Sequence, residues 1–157
     1  MGTLKDRTLK DLLHDDLTAA IKARDEVRVA TLRLVLAAIT TEEVAGAVAR
    51  ELSDDDARTV VAREAKRRRE AAQAFAAGGR PELAERERAE EAVLAEYLPE
   101  QMSDEELAAL VTRAIGETGA SGPAVLGAVM KVVRPRVGGR ADGARLAAEV
   151  RRQLAAS

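Results

Sequence analysis

The sequence predicts an all-α protein, and three observations lead to that fold class. Aromatic residues make up only 1% of the chain, so Ala, Val and Leu must fill the core, and charged chains rich in alanine favour helices. Apolar residues recur at steps of three and four, which is the spacing of one helix face. Alternation of apolar and polar residues, the pattern of a strand, never persists for more than a few positions.

The first two helices are predicted on either side of the polar sequence "ARDE". The first begins at Thr8, because Thr8-Leu9-Lys10-Asp11 resembles a capping box, and an amphipathic stripe follows it. The second is predicted over 27–49, where apolar residues occupy nearly every side. We therefore expect this second helix to be the most buried element.

The third and fourth helices are predicted from their end signals. Ser53 is followed by three aspartates, and a helix N-terminus favours both a serine cap and negative charge. Gly78-Gly79 ends the third helix, and Pro81 is suited to the first position of the fourth. Pro99 ends the fourth helix, because proline cannot continue a helix.

The composition changes near residue 98, where we place a domain boundary. Three shorter helices are predicted beyond it, over 104–117, 123–133 and 142–155. Ser103 with Glu106 supplies the cap of the first of these, and Pro123 opens the second. The expected organisation is a four-helix N-terminal domain, 1–98, and a three-helix C-terminal domain, 99–157.

Charge and composition restrict the classes of function. Lys and Arg number 25 against 27 Asp and Glu, a net charge of -2, so any nucleic-acid contact must come from a local patch. The absence of cysteine excludes disulfides, thiolate metal sites and cysteine nucleophiles. The longest apolar run, 34–39, is too short to span a bilayer, and the charged N-terminus lacks a signal-peptide core. We expect a cytoplasmic protein with no membrane partner.

A basic run on the third helix, Lys66-Arg67-Arg68-Arg69, allows two interpretations. Consecutive helical residues point about 100° apart, so only part of the run shares a face. Lys66 and Arg69 are candidates for phosphate contact, which gains from counterion release. The alternative is ion pairing with the acidic fourth helix, which the two-glycine turn would fold back antiparallel.

Catalytic and metal-binding patterns are weak. Glu87 and Glu90 lie three positions apart on one side of a helix, where carboxylates can act as acid and base or bind metal. Carboxylate metal sites in helical bundles usually include histidines, and His14 is the only histidine of the chain. Salt bridges to Arg68 or Arg69 are the preferred interpretation, and we expect no catalytic residue, metal or cofactor.

The stretch "RPRVGGRADG", 134–143, combines arginines and glycines before the last helix. It lacks the Gly-Lys-Ser/Thr of a Walker A loop and the preceding strand of a dinucleotide fold. Asp142 is predicted as the N-cap of the last helix. A helix N-terminus flanked by Arg134, Arg136 and Arg140 is also a candidate anion site.

Several stretches together resemble the YqeY-like family, over about residues 8–154. They are "IKARDEVRVATLRLVLAAI", the basic helix with Lys66, Arg68, Arg69 and Phe75, "GGRPELAERERAEEAVLAEYLPEQMSDEEL", "ETGASG" and "GAVMKVVRPRVGGRADGARL". The most specific feature is "YLPEQ" followed at this separation by "GRADG". The C-terminal part is similar to the tail domain of the amidotransferase subunit GatB, although "RPRV" is expected to lengthen the loop before the last helix.

The resemblance implies an accessory protein that binds tRNA or another structured RNA. It makes Lys131, Arg134, Arg136 and Arg140 the candidate contacts, with Lys66 and Arg69 as a second contact. With Tyr97 and Phe75 as the only rings, the expected mode is recognition of backbone shape. Neither DNA nor a membrane is an expected partner.

Two other functions remain open at this point. The family link also suggests a carbon–nitrogen ligase subunit that uses glutamine as amido-nitrogen donor, although no nucleophile or nucleotide motif accompanies it. A third alternative is a helical adaptor that binds a protein partner through the exposed faces of its third and fourth helices.

Overall fold

The computed structural model describes residues 7–156, so most of the charged N-terminal stretch and the last residue lie outside the described residues. The described part contains α-helices and one short 3-10 turn, Pro123–Val125, and no strand, which confirms the all-α prediction. The helices are α1 (Leu9–Ala23), α2 (Glu26–Glu43), α3 (Asp54–Ala77), α4 (Pro81–Ala95), α5 (Asp104–Thr118), α6 (Leu126–Val137) and α7 (Gly143–Ala156).

The chain divides into two compact units, and the division falls between Leu98 and Pro99. The first unit contains α1 to α4, and the second contains α5 to α7. None of the helices in the described range is both long and apolar enough to cross a bilayer.

Local sequence determines where several helices begin. Thr8 accepts a hydrogen bond from the Asp11 amide, and the Asp11 carboxylate accepts one from the Thr8 amide, so the predicted capping box is confirmed. Ser53 and Ser103 cap α3 and α5 in the same way, by accepting from the amide three residues later. Each cap satisfies a backbone donor that the first helical turn leaves without a partner.

The first unit has an aliphatic core formed by all four of its helices. Leu13, Leu32, Val61 and Leu94 are completely buried in it. Tyr97, after α4, packs against this core and donates its hydroxyl hydrogen bond to Asp16 at 2.6 Å. Burial raises the pKa of Tyr97, and the hydrogen bond to the Asp16 carboxylate raises it further. Tyr97 is therefore a structural residue of this unit.

The second helix is shorter than predicted, because it ends at Glu43 instead of continuing to residue 49. The buried carboxylate of Glu43 accepts hydrogen bonds from Lys10 Nζ at 2.7 Å and from the Leu52 amide at 3.1 Å. Its backbone carbonyl accepts from the Arg50 amide at 2.9 Å. These bonds turn the chain back toward α3, so tertiary contacts override the helical pattern.

We expect Glu43 to make stability depend on acid pH. The Lys10 and Leu52 hydrogen bonds hold the pKa of Glu43 below its ordinary value of 4.5. A lowered carboxyl pKa stabilises the fold above the unfolded-state value, and this contribution is lost as pH falls through the folded-state value. Between pH 6 and pH 3.5, the free energy of unfolding measured with urea should therefore fall less for Glu43→Gln than for wild type. Equal losses in the two proteins would contradict this role.

The second unit has a separate core between its three helices. Val111, Val129, Val133 and Val150 are completely buried there. The sixth helix continues to Val137, past the predicted end at residue 133, so "RPRV" is its last turn and does not lengthen the loop. Pro135 removes only one backbone donor near the helix end. Val133 and Val137, one turn apart and both buried, hold that turn against the core.

Candidate nucleic-acid interface

A cleft between α6 and α7, of about 370 Å³, carries basic side chains at its rim. Lys131 and Arg134 come from α6, and Arg151 comes from α7. The α6 residues that line the cleft are spaced so that they share one helix face, and Ala147 and Arg151 lie one turn apart on α7. We call this site, with its three rim cations, the α6–α7 cleft.

The three rim cations have no carboxylate partner in the part of the chain that the structure describes. Within residues 7–156 the side chains of Lys131, Arg134 and Arg151 form no ion pair and no hydrogen bond. Residues 120–157 contain seven basic residues and two acidic ones, Asp142 and Glu149. Asp142 accepts a hydrogen bond from the Arg145 amide at 2.8 Å, and Glu149 pairs with Arg152 at 2.6 Å. The rim therefore presents positive charge in a chain whose net charge is negative.

The arginines that follow Arg134 are in different surroundings. Arg136 pairs with Glu117 at 2.6 Å and lines another cleft, of about 560 Å³, beside α5. Arg140 donates from Nε to the Glu100 carbonyl at 2.8 Å and from Nη2 to the Glu106 carboxylate at 3.0 Å. Lys131 and Arg134 thus share a cleft, whereas Arg136 and Arg140 are already engaged with acidic or carbonyl oxygens.

The glycine turn after α6 accepts hydrogen bonds from the first residues of the second unit. Gly138 and Gly139 have φ values of +57° and +82°, a region that L side chains rarely adopt. The turn presents the carbonyl of Arg140 to the Met102 amide at 2.8 Å and the carbonyl of Gly139 to the Gln101 side chain at 3.3 Å. The two stretches that make the family resemblance specific, "YLPEQ" and "GRADG", are therefore in contact with each other. This contact stabilises the fold of the second unit.

Asp142 is the N-cap of α7, as predicted, because its carboxylate accepts from the Arg145 amide. That carboxylate occupies the position at the helix N-terminus where an anion would bind. Arg145 in turn pairs with Asp104 at 2.8 Å. The stretch 134–143 is thus a helix end, a turn and a cap, and of its three arginines only Arg134 faces the α6–α7 cleft.

Ion pairs engage most of the basic run on α3. Arg69 pairs with Glu91 of α4 at 2.8 Å, and Arg68 lies within 3.5 Å of Glu87 and 3.9 Å of Glu90. Lys66 is half-buried on α3, and its side chain has no ion pair within residues 7–156. The interpretation as pairing between antiparallel helices is therefore confirmed for Arg68 and Arg69.

The candidate acid–base and metal residues of the sequence do not converge on a site. Glu87 and Glu90 face Arg68, and His14 is an exposed residue of α1. No group of three or more His, Cys, Asp or Glu side chains within 7–156 is placed to hold a metal ion.

Arg151 is the rim residue that sequence reasoning missed. A usable signal was present, because neither Lys131, Arg134 nor Arg151 has a carboxylate three or four positions away on its own helix. Arg152, by contrast, has Glu149 at that spacing and pairs with it. Within the second unit, searching for cations without a helical partner would have selected the rim together with Arg136 and Arg140, whose partners lie on other elements.

Comparison with models of protein families identifies the family of the chain. The family model described as "Yqey-like protein" matches residues 10–154, which is nearly the whole chain. No curated protein matches the chain.

Proposed function

The chain belongs to the YqeY-like family, and from this premise we propose that it is a non-catalytic accessory protein that binds structured RNA of the tRNA class. The observation that carries the proposal is the α6–α7 cleft, whose three rim cations have no ion pair in the described chain. Cations without a partner bind phosphate without first breaking a salt bridge. The choice of tRNA comes from the similarity of the C-terminal motifs to the GatB tail.

The proposed mode of binding begins with the RNA backbone. Lys131, Arg134 and Arg151 contact phosphates, which position a protein on RNA without reading sequence. Each contact releases counterions from the RNA, so affinity decreases as salt increases. Guanidinium groups add directional hydrogen bonds to phosphate oxygens. We expect modest affinity, strongest at low ionic strength.

The other candidate contacts enter the proposal in a secondary role. Arg136 and Arg140 reach phosphate only after leaving Glu117 and Glu106, and Arg69 only after leaving Glu91. Lys66 has no such partner in residues 7–156, so it is the better second contact on the first unit.

Fluorescence anisotropy with labelled tRNA at 50 mM salt tests this proposal. We expect wild type to bind and Arg134→Ala to weaken binding about fivefold, since one solvent-exposed charge pair contributes at most about 1 kcal/mol. Arg136→Ala and Arg140→Ala should weaken it less, because both arginines are engaged with carboxylates. Failure of wild type to bind, or equal affinities for all four proteins, would contradict the proposal.

A further inference from the structure

The α6–α7 cleft has an apolar floor beneath its cationic rim. Leu126, Met130 and Ala147 line the floor, and Leu126 and Ala147 are only partly buried. A site that bound phosphates alone would need no apolar surface. Building on the proposed function, we infer that the cleft holds one unstacked base of single-stranded RNA, with the adjoining phosphates on Lys131, Arg134 and Arg151.

The dimensions and chemistry of the cleft suit a nucleobase. Its volume of about 370 Å³ lies within the range of roughly 300–1,000 Å³ found for small-molecule sites. Single-stranded bases are bound by stacking on aromatic rings or on arginine guanidinium planes. The second unit has no aromatic residue, so Arg134 and Arg151 are its available planes. The thioether of Met130 adds a polarisable contact that favours aromatic rings.

Charge together with the apolar floor distinguishes a nucleotide from an acidic peptide as the occupant. The rim provides three cations around one small cleft, and none of the described residues that line it is a carboxylate. One base with its flanking phosphates places two or three negative charges within that space. A polyglutamate segment could match these charges, but it has no planar ring to cover the apolar floor of Leu126, Met130 and Ala147. The observations therefore favour RNA, and a peptide becomes an outcome of the test.

Gly127 gives a way to close the cleft without disturbing the helix. It is an exposed residue of α6 that lines the cleft, and a Cβ added to it meets no atom within 4 Å. A leucine side chain at this position would enter the space proposed for the base. Gly116 on α5 is a matched control, because it is also exposed and helical, meets no atom within 4 Å, and lies outside this cleft.

The experiment compares two RNAs with equal numbers of nucleotides, using the full chain. One is a 12-bp duplex with a four-nucleotide single-stranded 3′ extension, and the other is a 14-bp blunt duplex. We expect wild type and Gly116→Leu to prefer the extended RNA by about tenfold, the size of preference that one desolvated cation–π contact between a base and an arginine supplies. In Gly127→Leu the ratio of the affinity for the extended RNA to that for the blunt duplex should fall to about one. Thermal unfolding of both variants checks that each is folded, and a competition arm adds polyglutamate of matched charge.

The outcomes separate this inference from the proposed function. Equal binding of the two RNAs by wild type, or the same tenfold ratio in Gly127→Leu, would overturn the base site while leaving RNA binding intact. Competition by polyglutamate as effective as that by the extended RNA would also overturn it, in favour of an acidic protein ligand. Binding of neither RNA would also overturn the base site, and failure of the same protein to bind tRNA would overturn the proposed function as well.

Discussion

Replacing Lys131, Arg134 and Arg151 together with alanine is expected to lower the affinity for tRNA about 100-fold at 50 mM salt. Each of these solvent-exposed charges contributes about 1 kcal/mol when paired with a phosphate, and 1.4 kcal/mol corresponds to a tenfold change in affinity. The slope of log affinity against log salt should also become shallower by about three, because each lost phosphate contact removes about one released counterion. Fluorescence anisotropy over a salt series measures both quantities.

A control with the same change in net charge is available on the first unit. Lys22, Arg33 and Arg88 are exposed, and their side chains form no ion pair within the described residues. Replacing these three with alanine removes one lysine and two arginines, as in the cleft variant, but leaves the cleft intact. If both triple variants lost affinity equally, overall charge and not the cleft would govern binding.

Arg68→Met is expected to lower the free energy of unfolding by about 3 kcal/mol, the largest effect on stability that we predict. The Arg68 side chain lies within 4 Å of three carboxylates, those of Glu64, Glu87 and Glu90. The Glu64 side chain is only 4% exposed, and the buried Oε2 of Glu87 has no hydrogen-bond partner. Removing the arginine leaves these carboxylates packed together without their shared cation. Urea denaturation at pH 7 measures the loss.

Two further variants locate the cause of that loss. In the Arg68→Met background, Glu87→Gln should recover about 1 kcal/mol, because it removes one of the uncompensated charges. Arg58→Met breaks an exposed pair with Asp55 on the same helix and should change stability by less than about 0.5 kcal/mol. A loss for Arg68→Met as small as that for Arg58→Met would show that the cluster behaves as a surface salt bridge.

Much of the fold is predictable from the sequence because helix starts are local events. The caps at Thr8, Ser53 and Ser103 depend on residues within four positions, and all three were predicted. The ends of α2 and α6 were predicted wrongly, because distant contacts decide them. Glu43, the last residue of α2, accepts hydrogen bonds from Lys10 and Leu52. Val137, the last residue of α6, packs into the core of the second unit and so extends that helix.

The candidate site is less predictable than the fold for the same reason. Arg134, Arg136 and Arg140 lie within seven positions and have similar local surroundings. Their environments differ because Glu117 and Glu106, which are distant in sequence, approach Arg136 and Arg140 and leave Arg134 beside Lys131. Separating the rim residues from Arg136 and Arg140 therefore required the tertiary structure, and Arg151 lies beside Lys131 and Arg134 because α7 packs against α6.

The most direct test of the central claim, that this protein binds structured RNA through the α6–α7 cleft, is to purify it from cells without nuclease and identify what accompanies it. With one tyrosine and no tryptophan the chain absorbs little at 280 nm, so bound RNA dominates the absorbance at 260 nm. We expect RNA enriched in tRNA to accompany wild type and to be lost from the variant that lacks Lys131, Arg134 and Arg151. A stoichiometric protein partner with no RNA, or equal RNA on both proteins, would contradict it.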